Sequence, residues 1–202
     1  MSKIKICGLS RPCDIAYVNE ALPDFCGFII NVPGSRRNIS PEILRNLRPH
    51  LRPEILPVGV FVNAAPSLIT KLVRENLISL VQLHGQEDEI YIASLRQTIS
   101  VPIIKAFQIS TELDIKNAES SSADYILLDH GNGGTGKTFD WSLLSSAKRP
   151  YMLAGGLTPE NLPYAVSKLH PWAVDLSSGV EMDGFKHREK ILAAVHAVRR
   201  TL

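Results

Sequence analysis

Short runs of apolar and β-branched residues recur along the whole chain. They are Lys3–Cys7, Phe25–Ile30, Leu56–Val62, Leu80–Leu83, Val101–Phe107, Tyr125–Leu128, Tyr151–Ala154 and Ala173–Leu176. Most are nearly continuous in apolar residues, which is how parallel strands covered on both faces read. The segments between them carry helical spacing. Leu162, Ala165, Val166 and Leu169 put one apolar stripe at i, i+3, i+4 and i+7, and Ile191, Leu192, Val195 and Val198 do the same near the C-terminus. Thr158-Pro159 and Ser40-Pro41 each place a capping hydroxyl before a proline, which predicts helix starts at those points. Eight strands, each followed by a helix, predict an α/β fold: a closed, parallel eight-stranded (β/α)8 TIM barrel, with a doubly wound open sheet as the alternative. The 202 residues suit one domain over 1–202, near the lower size limit for a barrel.

A barrel gathers the C-terminal ends of its strands on one face, so chemistry is expected there. The first strand ends at Cys7-Gly8. A thiol in that place serves either as a general base, once positive charge lowers its pKa, or as a small buried hydrophobe. The sixth run ends at Asp129, where a carboxyl group after three apolar residues needs solvent, a partner or a substrate; a turn acceptor is the plainer use. Across one mouth the two form an acid/base couple able to move a proton without a redox cofactor. Two glycine-rich ends, Ala154-Gly155-Gly156-Leu157 and Asp175-Leu176-Ser177-Ser178-Gly179, expose backbone amides suited to one phosphate. Between Asp129 and Trp141 lies a third glycine-rich stretch containing Gly134, Gly136 and Lys137. It is expected to fold over a bound phosphoester, and its spacing is wrong for a nucleotide P-loop. Arg36 and Arg37 could grip a carboxylate or could be solvated, and His84 could titrate near neutrality or be satisfied by backbone.

Composition narrows the partners. The net charge is +2, which offers nothing to nucleic acid or an anionic membrane. No apolar run reaches the roughly 20 residues of a membrane span, and no secretory h-region follows the N-terminus. Three cysteines without C-x-x-C spacing read as reduced thiols, which predicts a cytoplasmic protein.

Taken in order, Lys5-Ile6-Cys7-Gly8, Gly59-Val60-Phe61-Val62-Asn63, Val81-Gln82-Leu83-His84-Gly85, Leu127-Leu128-Asp129, Gly133–Trp141, Ala154–Leu157 and Asp175–Glu181 resemble the phosphoribosylanthranilate isomerase family of tryptophan biosynthesis. Each piece alone is weak, and seven in register are specific. The resemblance implies an Amadori rearrangement of N-(5-phosphoribosyl)anthranilate to 1-(carboxyphenylamino)-1-deoxyribulose 5-phosphate, with Asp129 as general acid and Cys7 as general base. It implies no metal and no organic cofactor, because an iminium intermediate is the electron sink. It implies a phosphosugar substrate held by Gly134, Gly136, Gly155, Gly156, Asp175, Ser177, Ser178 and Gly179, with His84 nearby and Arg37 on the anthranilate carboxylate. Here the chain departs from the family pattern, since Asn38 stands where an aromatic residue usually follows the arginine. The assembly is expected to be a monomer or a homodimer. An indole-glycerol-phosphate-synthase-like barrel and a non-catalytic phosphosugar sensor are the alternatives; the first uses lysine and glutamate where this chain has Cys7.

Overall fold

The computed structural model describes residues 1–129 and 141–201. Its barrel strands are β1 (Lys3–Cys7), β2 (Phe25–Ile30), β3 (Leu56–Phe61), β4 (Leu80–Leu83), β5 (Ile103–Gln108), β6 (Tyr125–Asp129), β7 (Tyr151–Leu153) and β8 (Ala173–Leu176). Each pairs in parallel with its neighbours in chain order, and β1 pairs with both β2 and β8, which closes the barrel. All eight expected strands are present, with ends moved by a residue or two. The segment Val101-Pro102 precedes β5 instead of opening it, and Asp129 is the last residue of β6 and not the one after it.

Helices α1 (Pro12–Ala21), α2 (Pro41–Leu47), α3 (Pro66–Arg74), α4 (Glu89–Arg96), α5 (Glu112–Glu119), α6 (Leu162–Leu169) and α7 (Arg188–Arg200) form the outer layer. Ser40 caps α2 as expected, its hydroxyl accepting from the Ile43 amide at 3.3 Å. The expected start at Thr158-Pro159 is wrong by a turn, since the helix begins at Leu162. Pro163 has no N–H for the Pro159 carbonyl, so the chain makes a preliminary turn, with Asn161 Oδ1 accepting from the Thr158 amide. After β6 the described residues contain a 3-10 helix, Trp141–Ser146, and not a full α-helix. No helix among the described residues is long and apolar enough to cross a membrane.

Strand alternation divides the core in two. On β2, Cys26, Phe28 and Ile30 point out and pack among the helices. Phe25 points inward with Val58, Val60, Leu80, Ile104, Leu127, Met152 and Ala173. At the N-terminal end this interior is closed by Trp172, stacked on Tyr125 at 4.3 Å between centroids, with the Lys3 ammonium over its ring. Residues at the other end of each inward column are therefore the ones left to form a mouth.

Candidate active site

One cavity of about 220 Å³ opens at the C-terminal rim. It is lined by Cys7 from β1, Arg37 from the loop after β2, Gln82 and His84 at the end of β4, and Asp129 from β6. Gly155 and Gly156 after β7, and Asp175, Ser177, Ser178 and Gly179 from the end of β8, complete it. Every residue expected at the site lines this cavity except Gly134 and Gly136, which lie, with Lys137, outside the described residues.

The side chains arrive there by period-two counting. Lys5 and Cys7 share the inward face of β1, as Gln82 and His84 do after Leu80, and Asp175 and Ser177 after Ala173. Each of these three rim residues thus has a polar residue one layer below it, whereas apolar Leu127 lies beneath Asp129. Lys5 is completely buried, and its ammonium lies 3.0 Å from both carboxylate oxygens of Asp175. Strand register sets this pair, because Lys5 and Asp175 are directly opposite in the β1–β8 ladder. The same ammonium and the Cys7 sulfur border one space over Gly27, where the positive charge favours the thiolate. Burial pushes the Cys7 thiol up, while Lys5 and Lys186 pull it back towards ionisation. Gly27 makes the room: a Cβ there would stand 2.7 Å from Cys7 Sγ and 3.0 Å from Lys5 Nζ.

Asp129 is 7% exposed, with Oδ2 3.6 Å from His84 Nε2. Among the described residues no hydrogen-bond partner meets its Oδ1, which leaves that oxygen available to a ligand in the cavity. The His84 ring is oriented by Gln82 Nε2, 3.0 Å from Nδ1.

Arg37 is held by Glu181, which accepts from Nε at 2.6 Å and from Nη2 at 2.8 Å. The Lys186 ammonium meets the same carboxylate at 2.6 Å and the Ser177 carbonyl at 2.8 Å. Burial raises the Glu181 carboxyl, but hydrogen bonds from Arg37 and Lys186 outweigh it and hold the group below its ordinary value. Arg37 lines the cavity and Arg36 does not; the Arg36 side chain is 57% exposed and reaches only the outer side of Glu181. Gly8, at φ +83°, lets Arg37 cross over β1, for a Cβ there would lie 2.4 Å from Arg37 Cδ. Asn38 tightens the preceding loop, its Oδ1 accepting from the Val32 amide at 2.7 Å. Ser177 Oγ donates to the Cys7 carbonyl at 3.1 Å, tying β8 to the thiol-bearing strand end.

The two glycine turns touch. A Cβ on Gly179 would fall 1.8 Å from the Leu157 carbonyl oxygen, so only glycine permits this approach. Gly155 and Gly156 adopt φ of +91° and +64°, which turns the backbone after β7 sharply around the cavity.

Sequence reasoning overlooked Lys5, Gln82, Glu181 and Lys186 as working parts. Counting back two residues from Cys7 and His84 would have found the first two. Nothing local signals that Glu181 meets Arg37, 144 residues away.

Fold and site together define a (β/α)8-barrel enzyme with ionisable groups and glycine turns at its C-terminal mouth. A family model described as N-(5'-phosphoribosyl)anthranilate isomerase matches residues 4–197. The isomerase of Lactiplantibacillus plantarum is 44% identical over 203 residues, covering 100% of this chain and 94% of its own. Among solved structures, mutually generated monomers of the dimeric Thermotoga maritima isomerase superpose with TM-score 0.86 at 35% identity, over 98% of this chain and 99% of theirs. An isomerase in complex with reduced 1-(o-carboxyphenylamino)-1-deoxyribulose 5-phosphate gives 0.83 at 34% identity, over 98% and 99%. The chain belongs to the N-(5'-phosphoribosyl)anthranilate isomerase family.

Proposed function

We propose that this cavity carries out the Amadori rearrangement of N-(5'-phosphoribosyl)anthranilate, with Cys7 and Asp129 as its base and acid. The observation that carries the assignment is their convergence on one cavity, with glycine turns at one side and Arg37 at another. The phosphate is held by amides around Gly155, Gly156, Ser178 and Gly179, which fixes the ribose between thiol and carboxyl. Arg37 meets the anthranilate carboxylate.

Asp129 in its acid form gives its proton to the ring oxygen. The C1–O bond breaks, and the nitrogen lone pair forms the C1=N iminium. Cys7 as thiolate then takes the C2 proton, and the C–H electrons flow into C1–C2 as the iminium collapses to an enolamine. Ketonisation gives the aminoketose. Turnover leaves Asp129 ionised and Cys7 protonated, so a proton must pass from sulfur to carboxylate through solvent before the next cycle.

The test is loss of the fluorescence of freshly generated substrate. Cys7→Ala and Asp129→Asn should each lower kcat by about 10²–10⁴-fold, the usual worth of a general acid or base, while the fold is kept. Activity surviving both changes would remove the mechanism.

A further inference from the structure

We propose that Lys5 is the positioning residue of Cys7: clamped by Asp175, its ammonium fixes the sulfur above Gly27 and holds the charge against which the thiolate forms. The inference rests on Cys7 as the base. A buried Lys–Asp pair is a poor way to stabilise a barrel interior, since both ions lose hydration and apolar side chains of equal volume do as well or better. Here the pair occupies the layer directly beneath the thiol. Two of the ammonium's N–H donors go to the Asp175 oxygens at 3.0 Å, which leaves a third for the sulfur. Sulfur and ammonium flank the same point above Gly27, where a Cβ would stand 2.7 Å from Sγ and 3.0 Å from Nζ.

Among the described residues, the other charged or titratable groups facing Cys7 are few. Asp175 from β8 opposes ionisation, and Lys186, following β8, favours it. Arg37, bound to Glu181, approaches from the loop after β2 and its charge also favours the thiolate, and Cys26 lies behind β2. His84 and Asp129 stand across the cavity. Lys5 is nearest in effect, and its pull on the thiol exceeds the opposing push of Asp175. Removing the pair as a whole should therefore also raise the thiol, by less than removing Lys5 alone.

The experiment follows the pH dependence of Cys7 alkylation by iodoacetamide, read on the Cys7 peptide by mass spectrometry, in wild type, Lys5→Met and Lys5→Met/Asp175→Asn. The alkylation midpoint should rise by a unit or more in Lys5→Met and by less in the double variant, each unit costing about tenfold in thiolate at neutral pH. In Lys5→Met the value of kcat should fall in proportion, with KM within about twofold, because phosphate and carboxylate contacts are untouched. An unmoved midpoint in a folded variant overturns the inference. The double variant strands no charge; its failure to fold would also count against the inference, by showing the pair to be structural. Alkylation needs no turnover, so this result stands apart from the assay of isomerase activity, whose absence in wild type would sink the functional reading instead.

Discussion

Glu181 gathers two arginines and a lysine around one carboxylate, and that arrangement decides which arginine can serve a ligand. Arg37 gives Nε and Nη2 to Glu181, so the guanidinium is fixed in plane with Nη1 as its remaining edge. Arg36 is half in solvent and contributes little to a rigid site. Charge-assisted hydrogen bonds are worth about 1.5–3 kcal/mol, so Arg37→Ala should raise KM roughly 10- to 100-fold. Arg36→Ala should change it by less than about threefold, the worth of an exposed contact. Steady-state kinetics on the two variants checks the order, and a larger effect at Arg36 would move the carboxylate to that side chain. From the residues alone Ser35-Arg36-Arg37 offers two adjacent candidates; only the family resemblance pointed to Arg37, and nothing pointed to Glu181. The departure at Asn38 became intelligible only once its side chain was seen closing the loop that carries them.

Elements meet at the rim through a few backbone contacts that tolerate no extra atom. The turn after β7 and the turn after β8 touch at Gly179, where a Cβ would overlap the Leu157 carbonyl oxygen. Gly179→Ala should push the turns apart, weakening phosphate binding about 10-fold or more, as loss of one good charge-assisted hydrogen bond does. The comparison of inorganic phosphate as competitive inhibitor of the two proteins measures it. A second tie joins β3, β4 and β5. Glu87, nearly buried, accepts from the Asn63 amide at 2.6 Å and the Gly85 amide at 2.8 Å, and pairs with Lys105 at 3.1 Å. Lys105→Met strands that carboxylate, which should cost about 3 kcal/mol of stability, at the low end for a broken buried pair because two amide donors remain. Urea denaturation reads this; a loss under about 1 kcal/mol would mean that the amides alone suffice. Strand existence was legible from apolar runs because each strand is buried on both faces. Boundaries were less so. Pro163 displaced the start of α6, and nothing in Trp141–Ser146 announced a 3-10 helix where a full helix was expected. Lys5 looked like an ordinary strand lysine because its partner, Asp175, is brought beside it only by barrel closure.

For the molecule as a whole, the same thiol sets its own reactivity and the stability of the fold on opposite courses with pH. Burial holds both the Cys7 and the Cys26 thiol above the ordinary cysteine range. An unfolded chain gives up those protons near pH 8.5, whereas the folded one keeps them to higher pH, so about 1.4 kcal/mol per unit is lost for each thiol above that point. Stability from this source is complete below the ordinary thiol pKa and declines until the folded values are passed. Lys5 acts in the same direction at higher pH. Burial draws its ammonium down, but Asp175 and Cys7 more than offset that and keep it protonated past the range of a free lysine. Cys26 faces the helices and lines no part of the cavity, which allows the two consequences to be separated. Between about pH 7.5 and 9.5 the urea midpoint of the wild type should fall, and that of Cys26→Ala should fall roughly half as steeply from a lower start. Over the same interval alkylation of Cys7 by iodoacetamide should quicken in both proteins, since the reactive form of a thiol is its thiolate. Parallel stability slopes in the two proteins would show that Cys26 is not the proton store described here. A flat alkylation rate would show that the Cys7 proton is not given up over this interval.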